Sequence, residues 1–287
     1  MIEDRKPMWI TVDFEDFSHD LKRSLQIEAS PSIRKKSLDE AYFKINNHLK
    51  NFHNSSKITF FCTGILSKLY PDIVKRISDD GHEIACHYNF HDDVYSSQVN
   101  VFEENINEAI YHLEKASGQK IVGFRAPRLS IKASDHNHLD ILSKYFLYDS
   151  SILCSSKEEL VNIVNKNNIT NLEIIPIPKQ YISTIFKNYR LGGSYFKLFS
   201  SRLTLKVMDK SYESNLNPIL YLHPYDFNGN DSFMVGFSEL DGLPILRKIY
   251  WYFRQYQWNK IGNKSSLKKL ELISTYYCNQ GPLKELI

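Results

Sequence analysis

Seven short runs of apolar and β-branched residues recur along the chain, each ending in polar side chains. They are Trp9–Phe14, Ile58–Cys62, Glu83–His87, Val122–Ala126, Leu147–Ser151, Leu172–Ile177 and Pro218–His223. A nearly unbroken apolar run this short suits a strand covered on both faces, as in a parallel sheet. Helical spacing fills most of the gaps. Leu38, Ala41, Tyr42, Ile45 and Leu49 share one face, as do Phe102, Ile106, Ala109, Ile110 and Leu113. Leu66, Leu69, Ile73 and Ile77 mark a third segment, in which Pro71 restarts the helix. Gly81 and Gly118 stand where C-terminal caps belong. This alternation predicts βαβ units and a parallel sheet or barrel.

There is no internal repeat and no low-complexity linker, so one domain over residues 1–287 is expected. Its motif-bearing barrel runs over about 8–230, followed by a helical C-terminal extension over about 231–287. Two stretches fit the alternation poorly. Ser18–Ser37 is a polar excursion after the first strand, and Gln180–Pro218, with Gly192 and Gly193, reads as a long loop or an inserted element. Both would shape a substrate pocket.

Composition excludes several classes. With 42% hydrophobic and 24% charged residues, a chain of 287 can bury a full core without staples. The 36 basic and 33 acidic residues leave a net charge of only +3, which argues against a nucleic-acid partner held by bulk charge. The longest apolar runs are too short to span a bilayer. The N-terminal MIEDRKPMWITVDFED lacks the apolar region of a signal peptide, so the cytoplasm is the expected compartment. Cys62, Cys86, Cys154 and Cys278 form no C-x-x-C pair and read as reduced, buried residues.

The polar strand ends carry the chemistry. Asp13, Glu15 and Asp16 close the first strand, His87 the third, Arg125 the fourth and His223 the last. In a parallel α/β barrel, active sites lie at the C-terminal ends of several strands. His87 and His91 are four residues apart, which on a helical turn puts both imidazoles on one face, in reach of one metal. Two histidines and one carboxylate leave positions open for water and substrate. On an extended strand Asp13 and Glu15 point to the same side, while Asp16 points away unless the chain turns. One acid could bind a metal and another act as base. Arg125 ends an apolar strand and needs a partner, for which a carboxylate of the first strand is the natural choice.

Other residues carry less. His136 and His138 read as solvated loop residues, and His19, His48, His53 and His112 lack evident partners. His82 reads as a cap or anchor for the third strand. Trp251, Tyr252, Phe253, Tyr256 and Trp258 read as core rather than as a sugar platform. No Gly-rich phosphate loop and no Gly-x-Ser-x-Gly elbow is present.

Taken in order, the motifs resemble a known family. They are Thr11-Val12-Asp13-Phe14-Glu15-Asp16, Thr59-Phe60-Phe61 with Gly64, Gly81 to His87 with His91, Phe124-Arg125-Ala126-Pro127, Tyr148-Asp149-Ser150-Ser151, and Leu222-His223-Pro224. The set resembles the polysaccharide deacetylases with the NodB homology domain, carbohydrate esterase family 4. With Leu191-Gly192-Gly193-Ser194-Tyr195-Phe196, it is similar to the branch found near bacterial exopolysaccharide and O-antigen clusters.

The resemblance implies a deformed (β/α)7 barrel, one divalent metal ion, usually zinc, and removal of an acetyl group from an N-acetylated sugar or glycan. Carried over by position, His87 and His91 are metal ligands, Asp13 the general base, Arg125 its orienting partner and His223 the general acid. Two departures stand out. The family's adjacent aspartates are here Asp13-Phe14-Glu15-Asp16, so the acidic metal ligand is Glu15 on the same-face argument, or Asp16. Tyr88 stands where the family has Ser or Thr. Two other readings share this frame: a non-catalytic carbohydrate-binding barrel, and a hydrolase of another C–N bond such as a cyclic amide.

Overall fold

Along the first strand, alternate side chains enter different cores. Met8, Ile10, Val12 and Phe14 pack outward against helices, whereas Trp9 joins Phe61, Ala85, Tyr148 and Tyr221 in a separate interior cluster. A strand with apolar residues on both faces is stable only when both are covered, which is the condition inside a barrel wall. The computed structural model describes residues 5–28, 31–52, 55–183, 188–228 and 230–287.

Its strands are β1 (Lys6–Phe14), β2 (Thr59–Cys62), β3 (Glu83–Cys86), β4 (Gly123–Phe124), β5 (Tyr148–Asp149), β6 (Leu153–Cys154), β7 (Glu173–Ile174), β8 (Ile177–Gln180), β9 (Tyr189–Arg190), β10 (Ile219–Leu222) and β11 (Tyr277–Asn279). The main sheet has the order β10-β1-β2-β3-β4-β5-β7, and every pairing in it is parallel. These seven strands are the seven apolar runs of the sequence. The gap between β7 and β10 is spanned by the small sheet β6-β8-β9. There Tyr221 N–H donates to the Leu191 carbonyl at 3.0 Å, joining that sheet's edge to β10. The result is the deformed (β/α)7 barrel, irregular on the side where the strands are shortest.

Helices fill the two ill-fitting stretches. Phe17–Ser24 and the start of Lys35–Leu49 occupy the first, and Gly193–Leu198 and Ser201–Glu213 the second. Pro71 starts the helix Pro71–Asp79 just after Gly64–Leu69 ends, and Gly118 caps Val99–Ser117 with φ 69°. The four cysteines are free.

Several sequence expectations are corrected. The C-terminal extension is not all helix: Tyr277–Asn279 runs parallel to Lys6–Met8, and Asn279 Nδ2 donates to the carbonyls of Ser55 and Lys57, each at 2.8 Å. So short a strand becomes stable only on a neighbour already in place, and β1 lies more than 260 residues upstream. His138 is buried edge-on against Phe102 rather than solvated. His19 has a partner, Asp20, at 2.8 Å. His53 lies outside the described residues. In the aromatic tail, Trp251, Tyr252 and Trp258 pack partly buried against the core as expected, whereas Phe253 and Tyr256 of the helix Ile245–Asn259 are exposed.

His82 does anchor the third strand: it is buried, and its Nδ1 accepts the Ile58 N–H at 3.2 Å. Burial, aided by Lys57, pushes its pKa down to about 4. Between about 6.5 and 4 the unfolded chain therefore binds a proton that the folded chain refuses. The contribution is complete above pH 6.5 and is lost as pH falls towards 4. His82→Gln, which keeps an acceptor, is expected to flatten the loss of thermal midpoint between pH 7 and 4.5, measured by circular dichroism. Equal losses in both proteins would contradict this account.

Candidate metal and catalytic site

Glu15, His87 and Arg125 each sit one residue past a strand of the main sheet, and His223 does so past β10. Chain geometry alone thus brings four polar groups to one end of the barrel. His87 does not start a helical turn, as the spacing predicted. Residues 87–93 form a bend in which Tyr88 takes φ 64°. The bend is pinned on both sides. Its Tyr88 and Asn89 carbonyls accept the N–H groups of Gly64 and Ile65 at 2.9 Å, and the buried Tyr88 ring stacks on Phe102. Tyr88 therefore anchors the histidine loop from the core side.

One ligand atom from each of Glu15, His87 and His91 lies within 4.8 Å of the others. His87 Nε2 and His91 Nε2 approach Glu15 Oε2 at 3.2 and 2.8 Å. His87 Nδ1 lies 2.8 Å from the Arg125 carbonyl. A carbonyl only accepts, so Nδ1 carries the hydrogen and Nε2 presents its lone pair to the cluster. Glu15 Oε2 and His87 Nε2 are buried without a hydrogen-bond partner.

Burial works against the charge of Glu15, but His91 overrides it and holds the carboxyl well below its usual range. Burial likewise opposes a charge on His91, and Glu15 and Asp20 overcome it, raising its pKa to about 9. The pocket thus draws in positive charge. Two imidazole nitrogens and a carboxylate oxygen gathered in one cluster are a donor set that fits a divalent cation.

Arg125 holds the second half of the site. Fully buried, it donates from one guanidinium nitrogen to Asp13 Oδ1 at 2.7 Å and Thr11 Oγ1 at 2.8 Å. Its other nitrogens donate to the Ser150 carbonyl and hydroxyl at 3.1 and 2.9 Å. The guanidinium plane lies 4.0 Å above the Phe61 ring. With its carbonyl on His87 and its side chain on Asp13, this single residue fixes the His87 ring relative to the acid.

His223 forms the third part. Its Nδ1 lies 3.1 Å from Asp226 Oδ2, and its ring stacks on Tyr225 at 4.7 Å. Asp226 is paired in turn with the buried Lys197 at 2.8 Å. Burial lowers the pKa of His223, yet Asp226 outweighs it and the net shift is upward. Gly192 and Gly193 let the chain pass close by: a Cβ at Gly192 would meet the Tyr221 carbonyl at 2.1 Å. Asp13, Glu15, His91, Arg190, His223 and Tyr225 face one cleft of about 300 Å³.

Asp16 is the one proposed ligand that lies elsewhere, and that assignment is corrected. One of its oxygens accepts the Ser18 N–H at 2.8 Å and the Ser18 hydroxyl at 2.7 Å, capping the helix Phe17–Ser24. The other accepts the Arg34 N–H. The chain turns into this helix straight after Asp16, which leaves its carboxylate fully occupied as a cap. Sequence reasoning missed Asp226, Lys197 and Asp20. A signal existed for Asp226, since it follows His-Pro at a spacing that closes a capping box on His223.

Fold and site together define a class: a parallel α/β barrel whose strand ends carry a His–His–carboxylate cluster, a buried Asp–Arg pair and a His–Asp pair. Known proteins show similarity to parts of this chain. The family model for polysaccharide deacetylase matches residues 29–145. The peptidoglycan deacetylase-like protein FGM2 of Gibberella zeae is 34% identical over 99 residues, which are 34% of this chain and 28% of that protein's length. The chain therefore spans under a third of this relative. A crystal structure of a polysaccharide deacetylase-like protein from Mycobacterium smegmatis shares the fold, with a TM-score of 0.50 and 14% identity over 94% of this chain and 92% of that one. The resemblance seen in the motifs is thus matched by the polysaccharide deacetylase model over residues 29–145, and the barrel by the fold of the Mycobacterium smegmatis structure.

Proposed function

We propose that this chain is a metal-dependent hydrolase that removes an N-acetyl group from a sugar used in bacterial surface polysaccharide biosynthesis. The observation that carries the reading is the Glu15–His87–His91 cluster opening into the same cleft as Asp13 and His223. The deacetylase family match supports the bond type.

Glu15, His87 and His91 would hold the cation. When bound, such a cation supplies Lewis acidity that makes water acidic near neutral pH and polarises an amide carbonyl. Asp13, aimed by Arg125, is placed to take the proton of the attacking water. His223, kept prone to protonation by Asp226, is placed to return a proton to the leaving amine nitrogen. Tyr225 and Arg190 face the cleft as partners for sugar hydroxyls. One group thus starts unprotonated and the other protonated, as an acid/base pair requires.

The test is acetate release from a panel of N-acetylated sugars, nucleotide-linked, lipid-linked and polymeric, with the protein loaded with zinc. Acetate from at least one class, abolished by a chelator and restored by metal, is the expected result. Sugar binding with no acetate from any class would replace this reading with a binding barrel, and release of another product from a cyclic amide would replace it with a different C–N hydrolase.

A further inference from the structure

The helix Ile245–Asn259 presents an apolar face to solvent beside the cleft. Ile245, Leu246 and Phe253 are 61, 78 and 65% exposed, and Ile249, Tyr250 and Tyr256 are exposed with them. At about 100° per residue these six fall within one arc of about 140°. The opposite side of the helix is the one packed on the protein, where Gln255 and Asn259 are buried. Gln255 bonds there to the backbone of Val235 through both its oxygen and its nitrogen, at 2.7 Å each. The exposed face is thus held in a fixed orientation.

The charge along the chain here is mostly basic. Residues 245–270 contain seven lysines and arginines and no acidic residue. On the helix, Arg247 is exposed, and Arg254 lies over the Trp258 ring at 4.0 Å. By the same helical angles both arginines lie beyond one edge of the apolar arc. Arg247, Trp251 and Trp258 also line a cleft of about 480 Å³ that shares Glu15, His91 and Tyr225 with the catalytic cleft.

We infer that this helix is a docking surface for an anionic lipid membrane, lying in the plane of the interface. Aliphatic and aromatic side chains along one face, with arginines beside one edge, are the composition that places a helix at the boundary between headgroups and acyl chains. Tyr and Trp favour that depth because each has an apolar body and a polar tip. Lys248 and Lys260 are paired with Asp241 and Asp231, while Arg247, Lys264 and Lys268 remain as exposed positive charges in a stretch without acids, which suits an anionic surface. Among the described residues no helix is long and apolar enough to cross a membrane, so attachment by this helix is peripheral. The cleft then opens at headgroup level, beside saccharides carried on lipid. The docking surface stands independently of the deacetylase reading, because it is measured without substrate.

The experiment is co-sedimentation of the full chain with phosphatidylcholine vesicles, with and without phosphatidylglycerol, alongside Leu246→Glu/Phe253→Glu. Both substitutions fall on exposed positions, and circular dichroism checks that the fold is retained. The expected result is binding to the anionic vesicles tighter than to neutral ones by about tenfold or more, and lost in the double variant. No binding to either vesicle would overturn the inference. So would a dimer, seen by light scattering and dissolved by the same two substitutions, since a second copy would then cover the face.

Discussion

Asp13→Asn is expected to lower acetate release by about 10²–10⁴-fold, the range for removing a positioned general base. The choice of asparagine matters. Arg125 is fully buried and relies on Asp13, Thr11 and Ser150 for its acceptors. Asparagine keeps an oxygen for that guanidinium, whereas alanine would strand a buried charge at a cost of about 3–5 kcal/mol. The Asn variant should therefore unfold cooperatively, at a lower midpoint, and still bind metal. Turnover within a few-fold of the parent in that variant would remove Asp13 from the mechanism.

His87→Ala/His91→Ala should release the metal altogether. Elemental mass spectrometry is expected to find about one divalent ion per chain in the parent and none in the double variant, with acetate release lost as well. Removing both imidazoles leaves Glu15 as the only member of the cluster, and a lone carboxylate does not retain zinc against water. The cluster also has a cation-seeking character before any metal arrives, because Glu15 raises the pKa of His91 to about 9. Metal retained at one ion per chain in the double variant would place the site elsewhere.

How much of this was legible follows from where each interaction is formed. The seven runs declared themselves locally, since a strand covered on both faces must be apolar throughout. The motif residues at their ends needed one further rule, that strand ends of a parallel barrel converge. Glu15 was favoured over Asp16 by strand alternation, and the structure places it with the histidines while Asp16 caps a helix. Three features were not legible. The bend at Tyr88 replaces the expected helical turn because it is pinned by Gly64 and Phe102, from other elements. β11 depends on the far end of the chain. The helix Ile245–Asn259 packs Trp251, Tyr252 and Trp258 inward and leaves Phe253 and Tyr256 exposed, a split that composition does not record.

The sequence by itself determined the strands, the barrel class and the set of polar groups at its mouth, because these follow from periodicity and residue type within a few positions. Only the tertiary structure decided which groups act as pairs. Arg125 meets both Asp13 and the His87 ring, Lys197 meets Asp226, and the helix Ile245–Asn259 turns Ile245, Leu246 and Phe253 outward. Those outcomes rest on contacts between residues up to more than a hundred positions apart, whose energies depend on burial and geometry that exist only once the chain has closed on itself.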